Sequence, residues 1–448
     1  MLKIGVAYVG EFYKPDSKDN ILAGVLTLEK TGTVLLELCG GFTEPYELFR
    51  KESDAFKRAD TVILGNVVIE GKTTPISLAN CYIKKITGTN ETYVSQEVLE
   101  GIHIEKYEDV VSTKYSFTCT DITKWINRNC FTREPIEKKN ENDFVVWESI
   151  KYQYTMSETW TVENVIEGLN ISLIPTWHMP NLGGSREYLQ ENILVVFDFQ
   201  EPVDLLEFNK QQSKFLNLVT LATDKKQERT MLKMSMGSQK NIRVYKFGIS
   251  QRDINNYDEL DFGIEKSKPK QFYLNQLFQF PNDINEWGQL IKTWYASFDK
   301  YSRAWTWCFS LCCKDTDKRV EEQFLNYTIA LGDYHKQSFQ NAFDVNFYTR
   351  ILQMFEGFSL YSLFFEEDAP KLAEKIDRAR KCFVEFSDDE YIKILPNMHL
   401  LENKFKILMS YYFLKELRFS EDEIVKIFEK KYWKQKIKQK KLRGDGDE

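Results

Sequence analysis

Groups that do chemistry at neutral pH are scarce in this chain. Its 448 residues include four histidines, His103, His178, His335 and His399. His103 and His178 have no acidic or cysteine partners at ligand spacing, His399 sits in a helix entry as a structural residue, and His-Glu-x-x-His is missing, which argues against a catalytic metal. The eight cysteines are scattered without a Cys-x-x-Cys pair. They read as reduced thiols rather than as a zinc or disulfide framework. No P-loop or Rossmann glycine pattern occurs, and no Gly-x-Ser-x-Gly elbow. Gly40-Gly41 and Gly183-Gly184 are most simply turns. The expectation is therefore no cofactor and no metal.

Long apolar runs are lacking too. Trp305–Cys313 and Phe358–Phe365 are the densest stretches, well short of the roughly 20 residues a spanning helix needs. The N-terminal apolar run is broken by Gly5 and ends near Val9, too short for a signal peptide. These absences predict a cytoplasmic protein with no membrane partner. A net charge of −7 gives no whole-chain case for nucleic acid, so any such surface is local.

Apolar content of 42% and aromatic content of 14% are ample for packed cores, and the length favours two or three domains. From Met1 to about Phe247 the pattern is short β runs with turn punctuation. Val25–Leu28 and Val34–Leu38 flank Thr31-Gly32 as a hairpin. Val62–Leu64, Val67–Ile69 and Ile76–Ile83 follow around a Gly71-Lys72 turn. Tyr115–Thr118, Thr159–Val162, Ile171–Ile174, Ile193–Phe199 and Ile242–Phe247 are later candidates. This spacing predicts antiparallel sheet, sandwich-like or barrel-like. One helix interrupts it, Val203 to about Leu221, with Leu205, Phe208, Phe215, Leu216 and Val219 as core. Glu134–Asp143 and Trp177–Ser185 read as loops.

After a polar linker at Glu265–Lys270 the periodicity turns helical. Trp287, Ile291, Trp294 and Phe298 keep helical spacing, as do Val320, Phe324, Tyr327 and Leu331. A third helix covers Val345–Phe365. A fourth starts at Asp368-Ala369-Pro370 and carries Leu372, Ile376, Ala379 and Phe383 on one face. Leu401, Phe405, Leu408 and Tyr412 mark a fifth, and the capping box Ser420–Glu423 opens a sixth. The fold class is α+β, a mainly antiparallel, sandwich-like β domain at 1–265 followed by an all-α bundle at 280–443. An acidic tail occupies 444–448.

Two stretches carry candidate function. Arg380 sits at the edge of the fourth helix's apolar face, where a guanidinium needs a phosphate, a carboxylate or a route to water. The sixth helix runs into a basic segment whose Lys431, Trp433, Lys434, Lys438 and Lys441 are candidate RNA contacts. A solvated, fraying helix is the plain alternative for that segment. Trp160 and Trp177 are candidates to line a groove on the β half, against ordinary core packing.

Several segments resemble a known family. Gly10-Glu11-Phe12-Tyr13-Lys14-Pro15, Ala23–Leu28, Leu36–Gly40, Ile63-Leu64-Gly65-Asn66 and Thr74–Cys81 resemble, in order, the ApeA N-terminal domain. Val320–Leu325, Ala330–His335 and Ile394–Glu402 resemble helices of the ApeA-type HEPN domain. That domain's signature is Arg-Asn-x-x-x-His followed by an aromatic. The matching positions here read Arg380-Lys381-Cys382-Phe383-Val384-Glu385-Phe386. Arginine and the trailing aromatic are kept, Lys381 replaces the Asn, and Glu385 replaces the His.

The resemblance implies a metal-independent ribonuclease fold in abortive-infection, anti-phage defence. It also implies a homodimer with RNA (tRNA among the candidates) as substrate. By elimination, the β half would sense a phage-derived trigger or restrain the effector. Arg380, Glu385 and Lys381 are then the catalytic candidates of a degenerate motif. Arg380 would grip a phosphate and Glu385 would act as base, though cations beside Glu385 lower its pKa and weaken it. A structural Arg380–Glu385 ion pair competes with that reading. His335 is either near this helix or a helix-end cap on backbone carbonyls. Two other classes stay open: a non-catalytic HEPN module binding RNA or a partner protein, and a β-domain ligand binder whose helices only dimerise.

Overall fold

A computed structural model describes residues 2–3, 5–29, 33–43, 61–126, 131–139, 145–155, 158–178, 190–236, 239–246, 276–311, 320–339, 345–385 and 398–442. The chain divides into two compact units. One comprises Met1–Ser213 and Glu228–Lys266, the other Lys214–Gln227 and Ser267–Glu448.

The first unit opens with β1 (Ala7–Lys14), β2 (Ser17–Leu28), β3 (Val34–Leu38), β4 (Thr61–Ile69), β5 (Lys72–Thr87) and β6 (Asn90–Ser95). All neighbours are antiparallel, in the order β5-β4-β1-β2-β3-β6, and β6 pairs back onto β5. Six strands thus close a barrel, where the sequence reading had favoured a sandwich-like form. Closure depends on β5. Its first half pairs with β4, and after Asn80, at φ +51°, its second half pairs with β6. Asparagine tolerates this left-handed backbone better than most side chains. Phe12, Leu26, Leu36, Ile63, Val67, Ile76 and Leu78 fill the barrel core.

The predicted β2–β3 hairpin is present, with Leu26 opposite Leu36. Val62–Leu64 and Val67–Ile69 are one strand, because Gly65 and Asn66 stay in register with β1. Gly65 faces Phe12, and a Cβ there would lie 2.4 Å from the Phe12 ring. Gly10 meets the Asn66 carbonyl in the same way. Any side chain at Gly65 would overpack a fully buried ring, a defect costing about 1–3 kcal/mol.

From β5 the sheet runs on through β7 (Glu97–Glu100), β8 (Val111–Cys119), β11 (Trp160–Ile166), β12 (Leu169–His178), β13 (Gln190–Asp204), β14 (Arg229–Met236) and β15 (Gln239–Lys246). Their order is β7-β15-β14-β8-β13-β12-β11. A separate hairpin joins β9 (Phe131–Lys139) to β10 (Val145–Tyr154). Glu134–Lys139 is therefore strand, not the expected loop: ladder pairing overrides its charged composition. Trp177 and His178 likewise end β12, and the rest of both expected loops lies outside the described residues.

Helix α1 (Ile122–Ile126) is short, and α2 (Leu205–Thr223) matches the predicted helix. Phe208 stacks on Tyr115 at 4.2 Å and meets Phe117 and Phe197 edge-on. Leu205, Phe208, Phe215 and Val219 are buried as expected, whereas Leu216 is only half-buried and Leu218 takes the core position.

The second unit contains α3 (Ile284–Lys300), α4 (Ser302–Leu311), α5 (Val320–Ser338), α6 (Phe347–Glu356), α7 (Tyr361–Phe364), α8 (Ala369–Glu385), α9 (Met398–Glu416) and α10 (Glu421–Leu442). It also takes Lys214–Gln227, which the sequence reading left in the β half. The reason is side-chain chemistry: Trp294 donates its indole N–H to the Lys214 carbonyl at 2.7 Å, and Phe215 packs edge-on against Trp287. Asp283 caps α3 by accepting from the amides of Asn285 and Glu286. The capping box is present at α10, where Ser420 and Glu423 bond reciprocally.

Helix α9 is apolar nearly all round, with Phe405, Leu408, Tyr411 and Leu414 fully buried, and so it is central. The single helix expected at Val345–Phe365 is two, α6 and α7. Gly357 ends α6, and the Tyr411 and Tyr412 hydroxyls bond the carbonyls of Gly357 and Met354 there. A Cβ on Gly357 would approach the Tyr412 hydroxyl at 3.0 Å.

Candidate functional site

Helix α8 forms because its apolar residues recur on one face. Leu372, Ala373, Ile376 and Ala379 are fully buried there. Asp377, 8% exposed, lies at the edge of that stripe and takes one cation on each oxygen. Arg380 Nη2 stands 3.3 Å from Oδ1 and Lys381 Nζ 2.7 Å from Oδ2. Arg380 also lies over the Phe347 ring of α6, with Cζ 4.7 Å from the centroid. Its Nε is buried without a hydrogen-bond partner.

Among the described residues, then, Arg380 pairs with Asp377. Positions three and four apart share a helix face, which brings both cations onto Asp377. Glu385 ends α8 and its side chain lies outside the described residues, as does Phe386.

His335 does not cap carbonyls. His335 lies in the last turn of α5, which ends at Ser338, and it is fully buried and turned toward α6. Its Nε2–H donates to the Gln353 amide oxygen at 2.7 Å, and its ring stacks on Phe339 at 4.4 Å. Nδ1 is buried without a partner. Burial lowers the His335 pKa, the Gln353 bond opposes this, and the charge of Arg350 lowers it further. The ring is therefore held neutral near pH 7.

Arg350 escaped the sequence reading. It lies on α6, one turn from Phe347 and one turn before Gln353, and its Nε too is buried without a partner. Helix α6 thus carries a row. Phe347 holds Arg380 from α8, Arg350 follows, and Gln353 holds His335 from α5. The ends of the row are six residues apart, about 9 Å of helix rise. His335 and Arg380 therefore bracket α6 rather than touch. Only the spacing of Phe347, Arg350 and Gln353, three apart, hinted at this.

The basic C-terminal segment behaves differently. Lys431, 9% exposed, is paired with Asp224 at 2.7 Å, and Lys406 meets the other Asp224 oxygen at 2.6 Å. Burial works to raise the Asp224 pKa, but Lys406 and Lys431 outweigh it and hold the carboxyl low. Burial lowers the Lys431 ammonium despite Asp224. The two shifts disagree about the pair. The carboxylate's governs, because two cations share it while the cost falls on one. Lys431 is thus an internal tie, contrary to its expected place among exposed RNA contacts. Trp433, Lys434, Lys438 and Lys441 follow on α10, with side chains outside the described residues.

On the β unit, His103 donates to the Gly65 carbonyl at 2.8 Å and lies 3.3 Å from the Tyr13 hydroxyl, a structural role. Trp160 is half-buried, and the Trp177 side chain lies outside the described residues. Cys39, Cys81, Cys119, Cys308 and Cys382 are free thiols, and burial pushes Cys81 up to about 12. Among the described residues no group of three or more His, Cys, Asp or Glu converges to hold a metal. Nor is any described helix long and apolar enough to cross a membrane.

The fold defines an α+β protein of two units, an antiparallel β unit and a helical one. The chain belongs to the ApeA N-terminal domain 1 family, whose model matches residues 7–294. The match runs through the β unit and into α3 as far as Trp294, beyond the boundary at 265 read from sequence. No curated protein and no solved structure matches the chain.

Proposed function

We propose that this is an ApeA-like anti-phage defence protein whose helical unit is a HEPN-type, RNA-directed effector. Support comes from the family match and from the residues around Arg380. The observation that carries the reading is the guanidinium itself. Arg380 is anchored by Asp377 and Phe347 yet keeps a buried Nε–H without an acceptor, beside Lys381, which is 55% exposed. A phosphate oxygen would meet the exposed edge of this guanidinium, whose side chain is 31% exposed, together with Lys381.

Cleavage without metal needs a base for the 2′-hydroxyl, a grip on the phosphate and an acid for the leaving oxygen. Arg380 supplies the grip. His335 is sealed inside the bundle, so it is a positioning residue for α6 and not a proton carrier. Glu385 is then the residue left to act as base. Phage-triggered release and dimerisation through α8 belong to the same reading.

The test is cleavage of total RNA and purified tRNA without added metal, by the wild type and by Arg380→Ala, before and after exposure to phage lysate. Cleavage that falls at least 100-fold in Arg380→Ala, and is likewise lost in Glu385→Gln, is expected. Cleavage equal in all three proteins removes this site from the mechanism. Retained RNA binding with no cleavage by any of them favours the second reading, a non-catalytic RNA-binding module. That alternative draws on the replacement of the motif histidine by Glu385.

A further inference from the structure

A cavity of about 660 Å³ lies in the helical unit, far along the chain from Arg380, between Gln276–Leu290 and Leu417–Lys430. That volume is within the range of roughly 300–1,000 Å³ usual for small-molecule sites. Its two walls are fixed independently. Leu277 N–H donates to the Ala222 carbonyl at 2.7 Å, and the Asp283 cap holds the start of α3. Opposite, Arg418 adopts φ +65°, ending α9 with its amide on the Lys415 carbonyl, and Phe419 N–H bonds the Leu414 carbonyl.

Three kinds of group face this space. Phe278 and Phe419, ring centroids 5.4 Å apart, present aromatic surface at its apolar side. Arg418, Lys426 and Lys430 line it with positive charge and form no ion pair among the described residues. The two carboxylates present, Glu286 and Glu423, are already occupied. Glu286 accepts from the Asn282 amide, and Glu423 accepts from the Ser420 amide and hydroxyl. Finally Gln276, 6% exposed, is part of the cavity lining, and its Nε2 is buried at that wall without an acceptor.

Buried donors without partners are costly, and cations beside an aromatic wall favour a planar anion. An aliphatic anion such as a fatty acid would leave Gln276 unsatisfied. Inorganic phosphate would leave the phenyl rings uncovered. A heterocycle bearing a phosphate meets all three demands, since side-chain amides pair with base edges and aromatics stack on base faces.

We propose that this cavity binds a ligand of the mononucleotide class. The base lies against Phe278 and Phe419, Gln276 Nε2 donates to a ring nitrogen or carbonyl, and the phosphate meets Arg418, Lys426 and Lys430. The site is separate from the Arg380 row, and its existence does not depend on the effector reading.

Calorimetric titration of the full-length protein with AMP, GMP, CMP and UMP tests this, with adenosine, guanosine and inorganic phosphate as controls. At least one monophosphate is expected to bind one-to-one, at least tenfold tighter than its nucleoside or phosphate alone. The double variant Lys426→Glu, Lys430→Glu changes only exposed side chains and should weaken that binding at least tenfold with an unchanged melting temperature. Gln276→Leu keeps the volume and should narrow the preference between bases. Should that variant fail to fold, the lysine pair still decides. No binding of any monophosphate at millimolar concentration overturns the proposal. Binding that survives both lysine changes, or phosphate binding as tight as the nucleotide's, overturns it as well. If only an RNA oligonucleotide binds and the lysine variant loses it, the cavity belongs to an RNA surface and the mononucleotide assignment fails.

Discussion

The two units use buried carboxylates in opposite ways. In the β unit Glu100 is closed. It accepts from the Leu2 amide at 3.0 Å, the Tyr245 hydroxyl at 2.6 Å and Arg243 at 2.8 Å, so the chain start and β15 are knitted to β7. In the helical unit Asp377 and Asp224 each gather two cations through long side chains. A carboxylate has about four acceptor positions. Glu100 ties the chain start and β15 to β7, whereas Asp377 takes both of its cations from its own helix, and Arg243 and Arg380 alike keep a buried Nε without a partner. The first arrangement contributes rigidity. The second holds two cations on one carboxylate.

Breaking the closed arrangement should cost most. Glu100→Ala strands Arg243, Tyr245 and the Leu2 amide, and a loss of about 3–5 kcal/mol is expected, read as a lowered melting temperature of the β unit. A change under about 1 kcal/mol would mean that water replaces the carboxylate and that the contrast with Asp377 is one of geometry only.

Asp224→Asn probes a tie that is internal yet built from lysines. Asp224 has φ +54°, which asparagine also tolerates, so the variant removes charge and leaves the backbone alone. A loss of about 1–3 kcal/mol is expected, with one lysine left buried. The pH dependence has a definite sign. The folded pKa of Asp224 lies below its unfolded value. Its stabilisation is therefore complete above the unfolded carboxylate range and disappears as pH falls through the lower folded value. Thermal melts from pH 7 to pH 3 should show a steeper acid limb in the wild type than in the variant. Parallel limbs would mean that the lysines do not discriminate between the two protonation states.

Asp377→Asn should have the smallest effect on stability, about 1 kcal/mol or less, since Arg380 and Lys381 keep solvent access. Its effect on binding sharpens the comparison. Releasing two cations should tighten RNA binding several-fold and steepen its salt dependence. Weaker binding would show that Asp377 aims Arg380 rather than restrains it.

Much of the fold was legible in the chain. Alternation at Leu26/Leu28 and Leu36/Leu38 specified a hairpin, and Ser420 with Glu423 specified a helix start, because both are local patterns with local causes. The charged hairpin at Glu134–Lys139 was not legible, since strand pairing there competes with composition. Arg350 was missed because nothing within α6 distinguishes it from a surface arginine. Its importance comes from α5 and α8 arriving on either side.

The sequence by itself determined an antiparallel β half, a helical half and an arginine at the edge of an apolar stripe, since periods of two and 3.6 are written residue by residue. Only the tertiary structure decided that six strands close into a barrel, that Asp377 is the partner of Arg380, and that Lys431 turns inward to Asp224. Each of those outcomes pits desolvation against pairing among residues distant in the chain or placed by its packing. That contest is settled by which groups the folded backbone brings within reach.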